Sequence, residues 1–423
     1  MRAFTTRFAE RMARPTGALE LMADLGAALA QAGEREIHML GGGNPARIPA
    51  VEAVYRRRLA EIAADTAQFG RFIAGYSAPE GDLPFRQAVA QSLHDQYGWK
   101  LTAANVGLTS GSQSAFFFLF NLFAGDRADG GGRTRLLLPL APEYIGYADV
   151  GLTPGMLLAQ PARIRDLDSG FFKYCVDFDH LQVPDDIGAI CVSRPTNPSG
   201  NVLTLAELER LDALARSCDM PFIIDAAYGM PFPGIQHDQF AALWNSNVVL
   251  CLSLSKLGLP AARTGIVVAD EAIIAALASF NATAALAPPS TGPVIVEPLL
   301  RNGELAALCR DHIRPHYAEQ SAAAIAGLQH ACAGLPLRIH APEGAFFLWL
   351  WFPGLPIGSE ELYRRLKRRN VLVLSGHHFF PGVEHDDPHQ RECLRLSYAQ
   401  PPASVQAGIR ILAEEVRRAY ERG

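Results

Sequence analysis

Six short runs of almost wholly apolar residues constrain this 423-residue chain more than any other feature. They are "NVGLT", "TRLLLPLA", "IGAICVS", "PFIID", "NVVLCLSL" and "TGIVVAD". Each is four to eight residues long and apolar throughout rather than alternating, the pattern of strands buried on both faces. Helical periodicity separates several of them, as in "TLAELERLDALARSC" behind a Thr204 cap, and also covers 50–68 and 82–97. The predicted fold is therefore α/β, with a mostly parallel central sheet covered by helices. In such sheets ligands bind at the carboxyl ends of the strands. Ser112, Tyr144, Asn197, Asp225, Tyr228 and Lys256 all fall just past those ends.

The chain is too long for one compact core. After about residue 300 the texture changes to a long helical stretch at 303–333, then "GAFFLWLWF", "VLVLS", "ECLRLSYA" and a final helix. The predicted division is an N-terminal arm with part of a small domain (1–48), a large domain (49–302) and an α+β small domain (303–423). The first fourteen residues hold four arginines and one acid. That composition raises a transit peptide, but the continuation into "GALELMADL" favours an arm of the folded protein.

A formal net charge of −5 gives no basic face for nucleic acid. The most apolar stretches fall short of the roughly twenty residues that a membrane span needs. Seven cysteines lack any CxxC pairing, the usage of free thiols in a reducing cytoplasm.

Lysine is rare here, with four in all, and Lys256 follows directly on "VVLCLSLS". An amine in an apolar cleft near a second cation has a lowered pKa and can act as a nucleophile. Arg263, with Ser253 and Ser255, forms a fork and two hydroxyls suited to a phosphate, and amides at Gly111-Ser112-Gln113 offer a second anion grip. Asp225 ends an apolar strand and needs a positive partner to stay charged; a protonated pyridine nitrogen is one such partner. Tyr228 and Asn197 are placed to meet a ring oxygen, although "NPSG" is also turn chemistry in its own right. Tyr144 reads as a ring-stacking residue or as ordinary core packing. Arg395, inside the strand pattern "ECLRLSYA", suits a carboxylate held in two parallel bonds or an internal salt bridge. The histidine-rich "SGHHFFPGVEHDDPH" fits no zinc spacing and reads as a solvated loop near the site, so no metal is expected.

These residues, with "MLGGGNPARIP", "PLAPEYIGYAD", "CVSRPTNPSGNV" and "LCLSLSKLGLPAARTGI", resemble the class I/II pyridoxal-phosphate aminotransferases of fold type I along nearly the whole chain. The resemblance implies that Lys256 tethers pyridoxal 5'-phosphate and shuttles a proton. Asp225 then keeps the pyridine nitrogen protonated, Tyr228 and Asn197 bond the ring oxygen, and Tyr144 stacks. Gly111, Ser112, Gln113, Ser253, Ser255 and Arg263 hold the phosphate. Arg395 takes the substrate α-carboxylate, with Gly43 and Asn197 in the same pocket. Tyr76, in "AGYSAPEGD", matches a tyrosine reaching the neighbouring subunit's phosphate, which implies a homodimer with shared sites. No motif marks a second substrate arginine, favouring small neutral substrates: valine or alanine with pyruvate or 2-oxoisovalerate. A lyase, decarboxylase or synthase on the same fold is the alternative. A regulator with an aminotransferase-like ligand domain is the remote one, since only about forty residues precede "GGGNP".

Overall fold

The computed structural model describes residues 6–13, 22–27, 30, 36–238, 240–385 and 387–422. Most of the "GALELMADL" stretch lies outside them. The larger sheet runs in the order Val106–Thr109, Gly265–Val268, Val248–Ser253, Phe222–Asp225, Ile187–Ser193, Arg133–Ala141, with Leu157–Pro161 and Gly125–Asp126 along the far edge of the last. The strands are parallel from Leu157–Pro161 through to Val248–Ser253. Gly265–Val268 instead runs antiparallel to both neighbours.

Burial on both faces follows from the apolar runs. Leu136, Leu138, Ile223, Val249 and Cys251 pack on one side with Phe116 and Phe120 of helix Ser112–Phe123. Leu137, Ile190, Ile224, Leu250 and Leu252 pack on the other. Thr204 caps helix Leu205–Ser217, its hydroxyl accepting from Glu207 N at 3.2 Å. The helical pattern at 50–68 resolves into Pro49–Ala64 and Thr66–Ile73, because Asp65 turns its carboxylate onto the amides of Ala67 and Gln68 and starts a new helix. The stretch 303–333 likewise divides, with a π-helical turn at Cys309–Ile313 between Glu304–Leu308 and Arg314–Ala331.

A second sheet has the order Leu374–Ser375, Cys393–Ser397, Phe347–Trp351, Arg338–His340, Phe171–Cys175, Arg163–Asp166. Its last two strands form a hairpin from the middle of the chain, joined in parallel to Arg338–His340 at Ile339↔Phe171. The N-terminal segment docks beside this sheet. His38–Met39 pairs with Val371–Leu372, and Ser397 N donates to Leu40 O at 2.7 Å. That contact carries the glycines at 41–43 to the mouth of the larger sheet. No helix among the described residues is long and apolar enough to cross a membrane.

Candidate active site

The antiparallel strand explains the seven-residue spacing between Lys256 and Arg263. Strand Val248–Ser253 delivers the chain to its carboxyl end, a short loop follows, and Gly265–Val268 returns from that same end. Leu254 N donates to Thr264 O at 3.1 Å and closes the loop, so lysine and arginine stand on its two flanks. The register sets Ser253 beside Gly265 and Gly265 beside Thr109. A Cβ on Gly265 would lie 2.7 Å from Ser112 N, so only glycine lets the helix start approach the loop this closely. Gly111, at φ 95°, lies in the left-handed region that favours glycine, and a Cβ there would stand 2.2 Å from Arg263 Nη2 and push the guanidinium off the helix start.

The arginine is therefore pressed against the first turn of a twelve-residue helix and exposed, and among the described residues it bonds only to Ser110 O, at 3.4 Å. Free amides, a guanidinium and the Ser255 hydroxyl form an anion cradle. Three of the expected donors are engaged elsewhere. Ser112 Oγ donates to Leu252 O at 3.2 Å, the Gln113 side-chain amide to Gly146 O at 2.9 Å and Gly111 N to Thr109 O at 2.8 Å, whereas Ser253 Oγ accepts from Ser255 N at 3.2 Å and keeps its own hydrogen to donate. At Gln113 it is the backbone, rather than the side chain, that faces the cradle.

Lys256 Nζ donates to Gly43 O at 2.9 Å and lies 5.2 Å from the Tyr228 ring centroid. The residue is only partly covered, but surrounding protein strips water from its ammonium. That desolvation, with Arg395 and Arg263 repelling it and Asp225 opposing them, brings its pKa down to about 8. Asp225 is buried and forms no ion pair among the described residues. Its carboxylate accepts from Ala227 N at 3.0 Å and from Tyr147 Oη at 2.8 Å, while burial pushes its pKa up to about 6. Tyr144 stands edge-on to Tyr147 with centroids 5.3 Å apart.

Arg395 is 4% exposed and has no acidic partner among the described residues. Nη1 donates to Asn197 Oδ1 and Nη2 to Gly41 O, both at 2.7 Å, and Nε is buried without a partner. The guanidinium carbon lies 4.0 Å over the Phe347 ring and 5.2 Å from that of Phe379. Phe379 is fully buried, so the histidine-rich segment is the solvated loop its composition suggests only in part: Gly376 and Phe379 are buried and His377 and His378 half-buried, while Glu384, His385 and Asp387 are exposed. Lys256, Asp225, Tyr228, Asn197, Tyr144, Arg395, Gly43 and the cradle are thus brought together by the described residues. Tyr76 is not; it stands 86% exposed.

Two residues of this constellation escaped the sequence reading. Tyr147 holds Asp225, and Glu143 is fully buried beneath the same loop, accepting from Ser193 N at 2.8 Å with Ser193 Oγ 2.5 Å away. Burial pushes the Glu143 carboxyl up to about 8, against the Ser193 bonds. The argument that singled out Asp225, an acid at the end of an apolar strand, applies equally to Glu143 in "LPLAPEY".

Tyr147→Phe leaves Asp225 Oδ2 without a donor. The expected cost in the cofactor-free protein is about 1–3 kcal/mol at pH 8, where the acid is ionised. At pH 5, below its pKa of about 6, the protonated acid no longer needs that donor and the cost shrinks. Thermal melts at both pH values check this, and equal losses would contradict it.

A family model described as aminotransferase class I and II matches residues 172–412. A valine–pyruvate aminotransferase of Escherichia coli K12 is 45% identical over 413 residues, covering 98% of each chain. A solved structure from Psychrobacter arcticum 273-4 superposes with a TM-score of 0.96 at 42% identity, covering all of both chains. A valine–pyruvate aminotransferase structure from Salmonella typhimurium LT2 gives 0.88 at 43% identity, covering 96% of this chain and all of that one. The chain belongs to the class I and II aminotransferases, enzymes that depend on pyridoxal phosphate.

Proposed function

We propose that this enzyme moves an amino group between a small neutral amino acid, valine or alanine, and a 2-oxo acid, pyruvate or 2-oxoisovalerate. The observation that carries the reading is Arg395: a buried guanidinium with no acid partner and a donor to spare, bonded to Asn197 and Gly41 two residues from the Gly43 carbonyl that holds Lys256. A substrate α-carboxylate there supplies the missing counter-charge and places the amino carbon toward Lys256.

The residues fit pyridoxal phosphate. The cradle of Gly111, Ser112, Gln113, Ser255 and Arg263, with Ser253 shaping the loop, suits its phosphate. Asp225, desolvated and without a cation, suits a protonated ring nitrogen; Tyr228 and Asn197 suit the ring oxygen, and Tyr144 the ring face. When bound, the cofactor supplies an electron sink for the carbon that bears the amino group. Lys256 would tether it, and Nζ, with its lowered pKa, would take and return the proton at that carbon. Arg395 orients the substrate, and the packing of Phe347 and Phe379 against it excludes water.

The cavity that opens at Lys256, about 820 Å³, is lined by one arginine, Arg47, and its guanidinium is already bonded to Glu52 at 2.5 and 3.1 Å. The 45% identical relative is a valine–pyruvate aminotransferase, which supports the same substrates. A homodimer completes the reading: helix Thr66–Ile73 buries none of its residues, and exposed Phe69 and Ile73 precede the exposed Tyr76 that we assign to the partner's phosphate. The working division remains 1–48, 49–302 and 303–423, with the 163–175 hairpin lent to the small sheet. Seven free cysteines suit the cytoplasm.

Valine and pyruvate should give parallel double-reciprocal lines and release alanine; ammonia instead of alanine would mark a lyase. Arg395→Ala is expected to lower kcat/KM by about 10- to 100-fold, mostly through KM, the size of a lost charge-assisted bond. An unchanged KM would remove the α-carboxylate from this arginine.

A further inference from the structure

A separate cavity of about 320 Å³ lies between the 163–175 hairpin and the start of helix Leu205–Ser217, and shares no lining residue with the one at Lys256. Arg163 and Arg165 are two apart on one strand and so project from one face. The register sets them opposite Cys175 and Lys173, which line the same cavity. Arg210, in the second turn of the helix, faces them with its guanidinium carbon 4.1 Å over the Phe178 ring.

The three arginines are exposed and form no ion pair or hydrogen bond among the described residues. Lys173 is buried and already bonded to Glu343 and to Val202 O. The acids nearby are committed: Glu207 closes the capping box on Thr204, and Asp177, near Arg163, bonds His180. Elsewhere in this acidic chain arginines find carboxylates, as in Arg135–Asp186, Arg216–Asp212 and Arg338–Asp166. Protection of an edge strand accounts for charge at Arg163 and Arg165, since theirs is the last strand of its sheet. It does not account for Arg210 converging on them from a helix. Three arginines against one lining carboxylate, the capped Glu207, leave the cavity net positive, and a planar fork suits phosphate oxygens. The volume is that of a small-ligand pocket.

We propose that this cavity is a second anion site that takes a diphosphate group, independent of the active site. Full-length holoenzyme is titrated calorimetrically with inorganic pyrophosphate and, in a parallel arm, ADP, while the bound cofactor's visible absorbance is followed. The expected result is saturable binding of one pyrophosphate per chain, weakened by added salt and at least about tenfold weaker in R163A/R165A, the loss of about one charge-assisted contact. R410E, which changes net charge by the same amount at an exposed position that does not line the cavity, is expected to bind like the wild type. Transamination in R163A/R165A is expected to be unchanged. Tighter binding of ADP assigns the group to a nucleotide, and weaker binding assigns it to free diphosphate. Absence of saturable heat, equal affinity in R163A/R165A, equal weakening in R410E, or heat that tracks loss of cofactor absorbance would each overturn the proposal.

Discussion

Lys256→Ala is expected to abolish amino-group transfer and the cofactor's visible absorbance while leaving the fold intact. Among the described residues the side chain's one hydrogen bond goes to Gly43 O, and its ammonium sits where burial and two arginines oppose its charge, so alanine removes chemistry without removing support. Proton transfer by a positioned amine is worth about 10²–10⁴ in rate, and the tether adds to that. The sign of the pH effect follows from the shift. A folded pKa of about 8, below the usual 10.5, means that the folded chain binds fewer protons than the unfolded one between those values, and its stability rises with pH across that window. Only the neutral amine attacks an aldehyde. Uptake of pyridoxal phosphate by cofactor-free wild type is therefore expected to quicken about tenfold per pH unit below 8 and to level off above it. Stopped-flow absorbance from pH 6 to 9.5 reads this directly. Surviving transfer in the alanine variant, or an uptake rate still climbing tenfold per unit up to pH 9.5, would take Lys256 out of the role.

The parts of the site that were legible in the sequence are those whose chemistry contradicts their local setting. A lysine after "VVLCLSLS", a carboxylate after "PFII" and an arginine inside "CLRLS" each demand a partner, and a demand can be read without knowing who meets it. The partners themselves were not legible. Arg395 is held by Gly41, 354 residues away, and by Asn197, 198 away, through contacts made only once the N-terminal segment docks on the small sheet. Tyr147 looked like any aromatic near an apolar run until the turn after Arg133–Ala141 set it against Asp225. Strand direction was equally hidden, because a run buried on both faces has the same composition either way. Yet the reversal of Gly265–Val268 is what returns Arg263 to the lysine's end of the sheet.

Asp225→Asn is expected to separate stability from function in opposite directions. The wild-type carboxylate is desolvated without a cation in contact, and its pKa of about 6 lies above the ordinary 3.8. A raised acid pKa means that the folded chain holds the proton more tightly than the unfolded one, so stability falls as pH rises from 3.8 through 6. Above that window the ionised group costs roughly 3 kcal/mol, at 1.36 kcal/mol per pKa unit. Asparagine avoids that cost, although its amide meets the Tyr147 and Ala227 donors less well. The cofactor-free variant should therefore melt no lower than wild type at pH 8. With a ring cation opposite, the same carboxylate becomes the favourable partner. At an effective dielectric near 20 and about 4 Å, that pairing is worth about 4 kcal/mol. Its loss should lower the rate about 10³-fold and weaken cofactor binding. Differential scanning fluorimetry with and without pyridoxal phosphate, set beside kcat, tests both signs on one variant. A cofactor-free Asn variant that is several degrees less stable than wild type would mean that Asp225 is already paired within the protein, and that its charge is not being held in reserve for a ligand.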